Sequence, residues 1–451
     1  MDGHNSPREL GTEKISTLLM RYSLPAIIAM TASSLYNMVD SMFIGHIGGG
    51  IGKYALSGLT ITFPLMNLSA AVGAMVGVGA STMLSVRLGQ KDYSSADKIF
   101  GNCFVLKIIT GILFMLICFA FLTPILQFFG ASEVTLPYAT EYMTIILAGN
   151  VITHMYFGQN ALLRSIGKPV FSMVCTIVTV ILNAILDPIF IFTLDMGIKG
   201  AAIATVLSQA VSMCIQLKIF SNPNEIVHFK RGIYGLKKRI VGDILSVGMA
   251  PFLMNCCSCI VVVFVNKGLV AYGGDLAVAA YGIVNRIGFI FAMIVMGLNQ
   301  GMQPIAGYNY GAQLIDRLMK VYYYTMGLAT IVCCIAFVVG EFFPEMCVRI
   351  FNEDQDLMDI ALPAMRLYMC TFPIIGFQMV TTNFFQSIGK AKISIFLSLT
   401  RQLIFLVPGL IILPRIYQLF GIWYAIPLSD LLASIMTAIV FFVYRNKFHQ
   451  I

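Results

Sequence analysis

Two acidic residues, Asp40 and Asp187, sit inside stretches that are otherwise apolar enough to cross a membrane. Asp40 is the only acidic side chain between Leu18 and Ile44. Holding a charged carboxylate near the centre of a bilayer costs at least about 2.5–3.5 kcal/mol on insertion scales, so such a group faces a cavity or a partner. Asn183 lies four residues before Asp187 and shares its helical face, and Thr205 follows in the next apolar run. Two carboxylates with amide and hydroxyl oxygens are hard ligands of the kind a Na⁺ ion takes. Two close carboxylates can equally hold one proton between them. The residue types leave both open. Local helix hydrogen bonding is the plainer account of Thr205 or Asn183 taken singly, but it does not explain two acids in membrane-spanning runs.

The elements that position these groups follow from composition. Of 451 residues, 58% are hydrophobic and 11% charged, whereas soluble domains carry about a quarter charged residues. Twelve apolar runs long enough to span a bilayer are expected, at roughly 17–44, 55–85, 99–121, 136–162, 169–194, 197–220, 241–266, 276–305, 319–340, 360–386, 393–413 and 419–444. At 1.5 Å per residue, Asp40, Asp187 and Thr205 all lie roughly 8–12 Å inside the same membrane edge, with Asn183 one turn deeper.

The net charge of +8 is accounted for by topology. With both termini inside, 20 of the 29 Lys/Arg fall in or beside inner segments and five in outer ones, a strong positive-inside bias. Nothing remains that calls for a nucleic-acid partner. The eleven cysteines lack metal-ligand spacing and read as small packing residues. The first sixteen residues show no removable leader. No nucleophile constellation or nucleotide loop points to an enzyme.

The chain is internally repeated. Arg-Ser-Ile-Gly-Lys at 164–168 returns as Gln-Ser-Ile-Gly-Lys at 386–390, and Gly79 and Gly89 pair with Gly301 and Gly311, all 222 positions apart. Pro25 pairs with Pro251 at a slightly larger offset that the Gly-rich loop at 48–52 absorbs. The expected organisation is a six-helix lobe at 1–220, a basic linker at 221–240 and a second six-helix lobe at 241–451. Six spans per repeat give both halves one orientation, with a central cleft between the lobes. Pro25, one-third into its span, is a candidate hinge, because proline removes a helix hydrogen bond. The second half carries no acid at the depth of Asp40. Asp430 and Arg401 read as a structural ion pair, and Arg286 is a lone cation that lines the cavity or snorkels. Met254 and Met293 are candidate contacts for apolar or cationic molecules. Glu341, Glu345, Glu353, Asp354 and Asp356 form an acidic, solvated outer region.

These features, with YNMVDSMFIGHIGG in span 1, LNAILDPIFIF in span 5, GIKGAAIATVLSQ in span 6 and the twin SIGK motifs, resemble the multidrug and toxic compound extrusion (MATE) family, in its DinF-like, MepA-type branch. The resemblance covers essentially the whole chain. It implies an all-α bacterial inner-membrane protein that exports diverse, often cationic or amphipathic drugs by alternating access, driven by H⁺ or Na⁺, as a monomer with no cofactor beyond the coupling ion. It also implies a first-lobe coupling site at Asp40, Asn183, Asp187 and Thr205, with Tyr36, Tyr142 and Asn160 lining that lobe. The acids that other branches carry in spans 7 and 10 are missing. A lipid-linked oligosaccharide flippase of the wider superfamily is the alternative, and Arg286 is the one residue that favours it.

Overall fold

The computed structural model describes residues 9–47, 51–351 and 354–448. Most of the Gly-rich loop (48–50) and the outer residues Asn352 and Glu353 lie outside them. Every regular element among the described residues is a helix.

Among the described residues, ten continuous helices are long and apolar enough to cross a membrane: Ile15–Gly45, Tyr54–Gly89, Tyr93–Ala120, Pro169–Thr193, Gly197–Phe220, Lys238–Gly274, Leu276–Gly311, Ile315–Phe342, Ala391–Tyr417 and Leu419–Arg445. The pair Gln355–Met369 and Phe372–Ser387, bent by 49°, makes an eleventh when counted as one span. The fourth expected span, 136–162, is not one helix. It folds as Leu136–Ala148 and Asn150–Ser165, interrupted at Gly149. A side chain at Gly149 would strike Val206 of span 6, and the second piece carries the buried polar residues Asn150, His154, Gln159 and Asn160. Close helix approach and polar content make this span irregular.

The repeat is visible in how helices stop. In both SIGK motifs the glycine takes a left-handed backbone, φ 94° at Gly167 and 76° at Gly389. The next residue then bonds back five positions, from Lys168 N–H to the Leu163 carbonyl and from Lys390 N–H to the Phe385 carbonyl, 2.9 Å each. That is the Schellman way of satisfying the last carbonyls of a helix, and glycine is the residue that adopts it without strain. Spans 2 and 8 end alike, with Lys91 and Gln313 both at φ 59°. The fifth span of each half contains a π-helical stretch, Ile189–Thr193 and Thr400–Leu406.

Packing divides the chain into two compact units, and not at 221–240. One unit holds Ile28–Phe252, and the other holds Glu13–Ile27 with the chain from Leu253 onward. The boundaries fall inside spans 1 and 7, just after Pro25 and Pro251. Within the first unit, Gly79 lies so close to the Ile244 carbonyl of span 7 that a Cβ would collide with it. Within the second, the repeat-related Gly301 stands in the same way against Ser23 of span 1, whose hydroxyl donates to the Leu298 carbonyl at 3.5 Å. Small residues allow such backbone approach between membrane helices.

The basic segment after span 6 is a built part of the first unit. Asn102, buried in span 3, donates to the carbonyls of Ile233 (3.3 Å) and Gly235 (3.0 Å) and accepts from the Lys237 N–H (2.9 Å). Lys230 pairs with Asp97 at 2.7 Å, Lys168 pairs with Glu225, and Phe100, Phe104, Phe220 and Phe229 cluster beneath.

Candidate cation site

Span 1 presents Tyr36 and Asp40 one helical turn apart, near its end at Gly45. Span 5 presents Ser172, Thr176, Thr179, Asn183 and Asp187, a buried polar stripe at spacings of three and four. Such spacing is one helical face, so the apolar residues between them take the other sides. Directly after Asp187, Pro188 lacks an N–H and leaves the Ala184 carbonyl without its helical donor, and the helix widens into the π-helical turn Ile189–Thr193. Irregular turns of this kind recur at functional sites. Span 6 brings Thr205, Ser208, Ser212 and Gln216, all buried. Spans 5 and 6 are fastened below the site, where Thr179 donates to Ser212 at 2.7 Å and Ser212 donates to the Cys175 carbonyl at 2.9 Å.

The four residues singled out by depth are brought together. Asp40 is 5% exposed, Asn183 1%, Asp187 0% and Thr205 8%. Asp40 and Asp187 lie close enough for each carboxyl to feel the other's charge. Thr205 gives its hydroxyl proton to the Ala201 carbonyl at 3.0 Å. Tyr36, 3.1 Å from the Thr205 oxygen, is therefore the donor of that bond. Tyr142 of span 4, 1% exposed, lies close enough to Thr205, Asp40 and Asp187 to feel their charge and dipoles.

Five polar atoms at this point are buried with no hydrogen-bond partner: Asp40 Oδ1, both Asp187 carboxyl oxygens, and Oδ1 and Nδ2 of Asn183. Each such group costs about 1–3 kcal/mol, and more if charged. Native structures keep them where a role demands it. What the arrangement offers chemically is a set of convergent oxygen lone pairs with a proton-accepting pair at its centre, which suits a small hard cation or a shared proton.

Other expected residues fall elsewhere. Asn160 spends its amide on span 5, donating to Thr176 at 3.3 Å and accepting from Ser172 at 3.2 Å. It braces the stripe about three to four helical turns away from Asp187. Met254 and Met293 are half-buried residues of the second unit, and Arg286 is exposed on span 8. Arg401 and Asp430 do pair, at 2.7 Å, beside a cavity of about 130 Å³ that also touches Tyr368, Asn285 and Phe372. Among the described residues no group of three His, Cys, Asp or Glu could hold a metal ion.

Sequence reasoning passed over a second buried polar system in the first unit. Lys107 in span 3 is 0% exposed, its Nζ has no hydrogen-bond partner, and both amide atoms of Gln159 are likewise unpartnered. His154 reaches Ser69 at 3.3 Å, and Asn150 donates to the Gly111 carbonyl at 3.0 Å. A lone in-span lysine was the available signal.

A many-span helical protein in two repeated halves, with unpartnered carboxylates buried in one of them, has the build of a membrane transporter. The MatE family model matches this chain twice, at residues 25–189 and 247–411, and the two copies start 222 positions apart like the SIGK motifs. The chain belongs to the MatE family and is a transporter, not an enzyme. Multidrug export protein MepA of Staphylococcus aureus (strain MSSA476) is 26% identical over 432 residues, covering 95% of this chain and 94% of that one. Among solved structures, the MATE multidrug transporter DinF-BH is 36% identical, with a TM-score of 0.90 over 97% of this chain and 98% of its own. A MATE protein in the bent conformation is 25% identical, with a TM-score of 0.91 over 98% of each chain.

Proposed function

We propose that this chain is a cation-coupled multidrug exporter, with the coupling ion taken up at Asp40, Asp187 and Asn183. The observation that carries the reading is the cluster of five buried, unpartnered polar atoms on spans 1 and 5. Relatives named for multidrug export over nearly the whole chain support the substrate class, and small amphipathic or cationic drugs suit it best. Tyr36, Thr205 and Tyr142 orient the site without supplying its charge. Either ion fits the donor set: a proton shared by the two carboxylates, or Na⁺ held by carboxylate and Asn183 oxygens. Met254 and Met293 are kept as candidate drug contacts, Arg286 as a weaker one, and the protein works as a monomer in the bacterial inner membrane with both termini cytoplasmic.

Occupying the site removes the repulsion between Asp40 and Asp187 and satisfies Asn183, which changes the packing that span 1 prefers. Pro25 is the point where that preference is transmitted. The division between compact units falls just after it, and a related MATE protein has been seen in a bent conformation. Antiport follows if drug and ion favour opposite arrangements. The flippase alternative has less support, since its one residue, Arg286, is exposed on its helix. The test is efflux of cationic dyes from cells expressing the protein. Asp40→Asn and Asp187→Asn are each expected to abolish it at normal expression, and intact efflux in both variants would defeat the reading.

A further inference from the structure

At the end of the first unit where spans 2, 3 and 7 meet, a cavity of about 310 Å³ collects four cations: Arg87, Lys98, Lys237 and Arg239. They arrive from three separate elements. Arg87 is in the last turn of span 2, Lys98 is in the second turn of span 3, and Lys237 and Arg239 flank the start of span 7. The backbone N–H of Lys237 is held there by Asn102 at 2.9 Å.

The cations are poorly compensated from within the protein. Asp243 is the one carboxylate of the lining. Arg87 lies 3.9 Å from Asp92, but Asp92 is already the cap of span 3, accepting from the Ser95 N–H at 3.1 Å. Hydrogen bonds from Ser95, with nearby Arg87 and Lys98 assisting, hold its carboxyl below the usual range. Span 7 also opens with Lys238 and Arg239 and has no acid in its first turn. Cations at that end oppose the helix dipole. An anion in the cavity would offset both the mutual repulsion and the dipole.

We infer that this cavity binds the phosphate headgroup of an anionic phospholipid. Its lining argues for a lipid over a soluble phosphate. Met83, Ile99 and Ile240 form an apolar wall beside the cations, at the level where three membrane-crossing helices end. A phosphodiester can meet the charges there while its acyl region follows the apolar side. Basic pockets between transmembrane helices are suited to this, each Lys or Arg contributing about fivefold in affinity. The bound lipid would pin the segment after span 6 to spans 2 and 3 of its own unit.

The test uses the full chain, purified in mild detergent and incubated with equimolar phosphatidylglycerol and phosphatidylcholine, with retained lipid read by native mass spectrometry. Phosphatidylglycerol is expected to dominate, to fall about 25-fold in Lys98→Gln/Arg239→Gln, and to rise in Asp243→Asn, a gain that misfolding cannot produce. Millimolar inorganic phosphate is expected to leave it bound. Equal retention of phosphatidylcholine, unchanged retention in the double variant, no gain in Asp243→Asn, or displacement by inorganic phosphate would each overturn the assignment, the last by making the site one for soluble anions.

Discussion

Replacing Arg401 by Met should expose what the second unit's ion pair is worth and which partner bears the cost. Asp430 is 2% exposed, with Arg401 Nε 2.7 Å from its Oδ1, whereas the Arg401 side chain is 31% exposed. Thr371 adds a bond of 3.4 Å to Oδ2. Arg401→Met leaves a 2%-exposed carboxylate without its cation. Breaking a buried pair this way costs about 3–5 kcal/mol.

Asp430→Leu strands the arginine instead. That side chain is 31% exposed, so the loss should be only about 1–3 kcal/mol. Arg401→Met/Asp430→Leu should be near neutral. Reversible unfolding in mixed micelles, run as a double-mutant cycle, measures all of these. Additive losses, or an Arg401→Met penalty no larger than that of Asp430→Leu, would refute the assignment of the cost to the buried carboxylate.

Two further substitutions test the first unit. Lys107→Met removes a buried amine with no hydrogen-bond partner while keeping a chain of similar length, and is expected to stabilise the protein by about 1–3 kcal/mol in the same assay; destabilisation would mean that the amine is satisfied in the membrane. Asn102→Ala deletes three bonds to the segment after span 6 and should make the peptide bonds near Ile233–Lys237 susceptible to limited proteolysis, with unchanged cleavage counting against Asn102 as their anchor.

The gathering of Asp40, Asp187 and Thr205 was legible in the sequence because helical rise is constant, so counting residues from span ends gives depth. The repeat was legible through SIGK, where a left-handed glycine fixes how the helix ends. What escaped depended on contacts distant in sequence. No local pattern reports that Gly79 packs on Ile244, so the assignment of Glu13–Ile27 to the second unit could not be read. The segment 221–240 looked like an open basic loop because its anchor, Asn102, is a single polar residue 131 positions from Ile233. The break at Gly149 was hidden because the contact behind it, with Val206, is 57 positions away. Pro188 was the available signal for the π-helical turn after Asp187, whereas the stretch around Arg401 has no such marker.

Asp40 is the residue on which the coupling proposal depends. The most direct measurement is dye transport by the purified full chain in proteoliposomes, with a pH gradient and a Na⁺ gradient imposed separately. At least one gradient should drive transport in the native protein, its identity naming the ion, and Asp40→Asn should abolish the driven component while the protein remains folded. Gradient-driven transport by Asp40→Asn at the native rate would contradict coupling through this site.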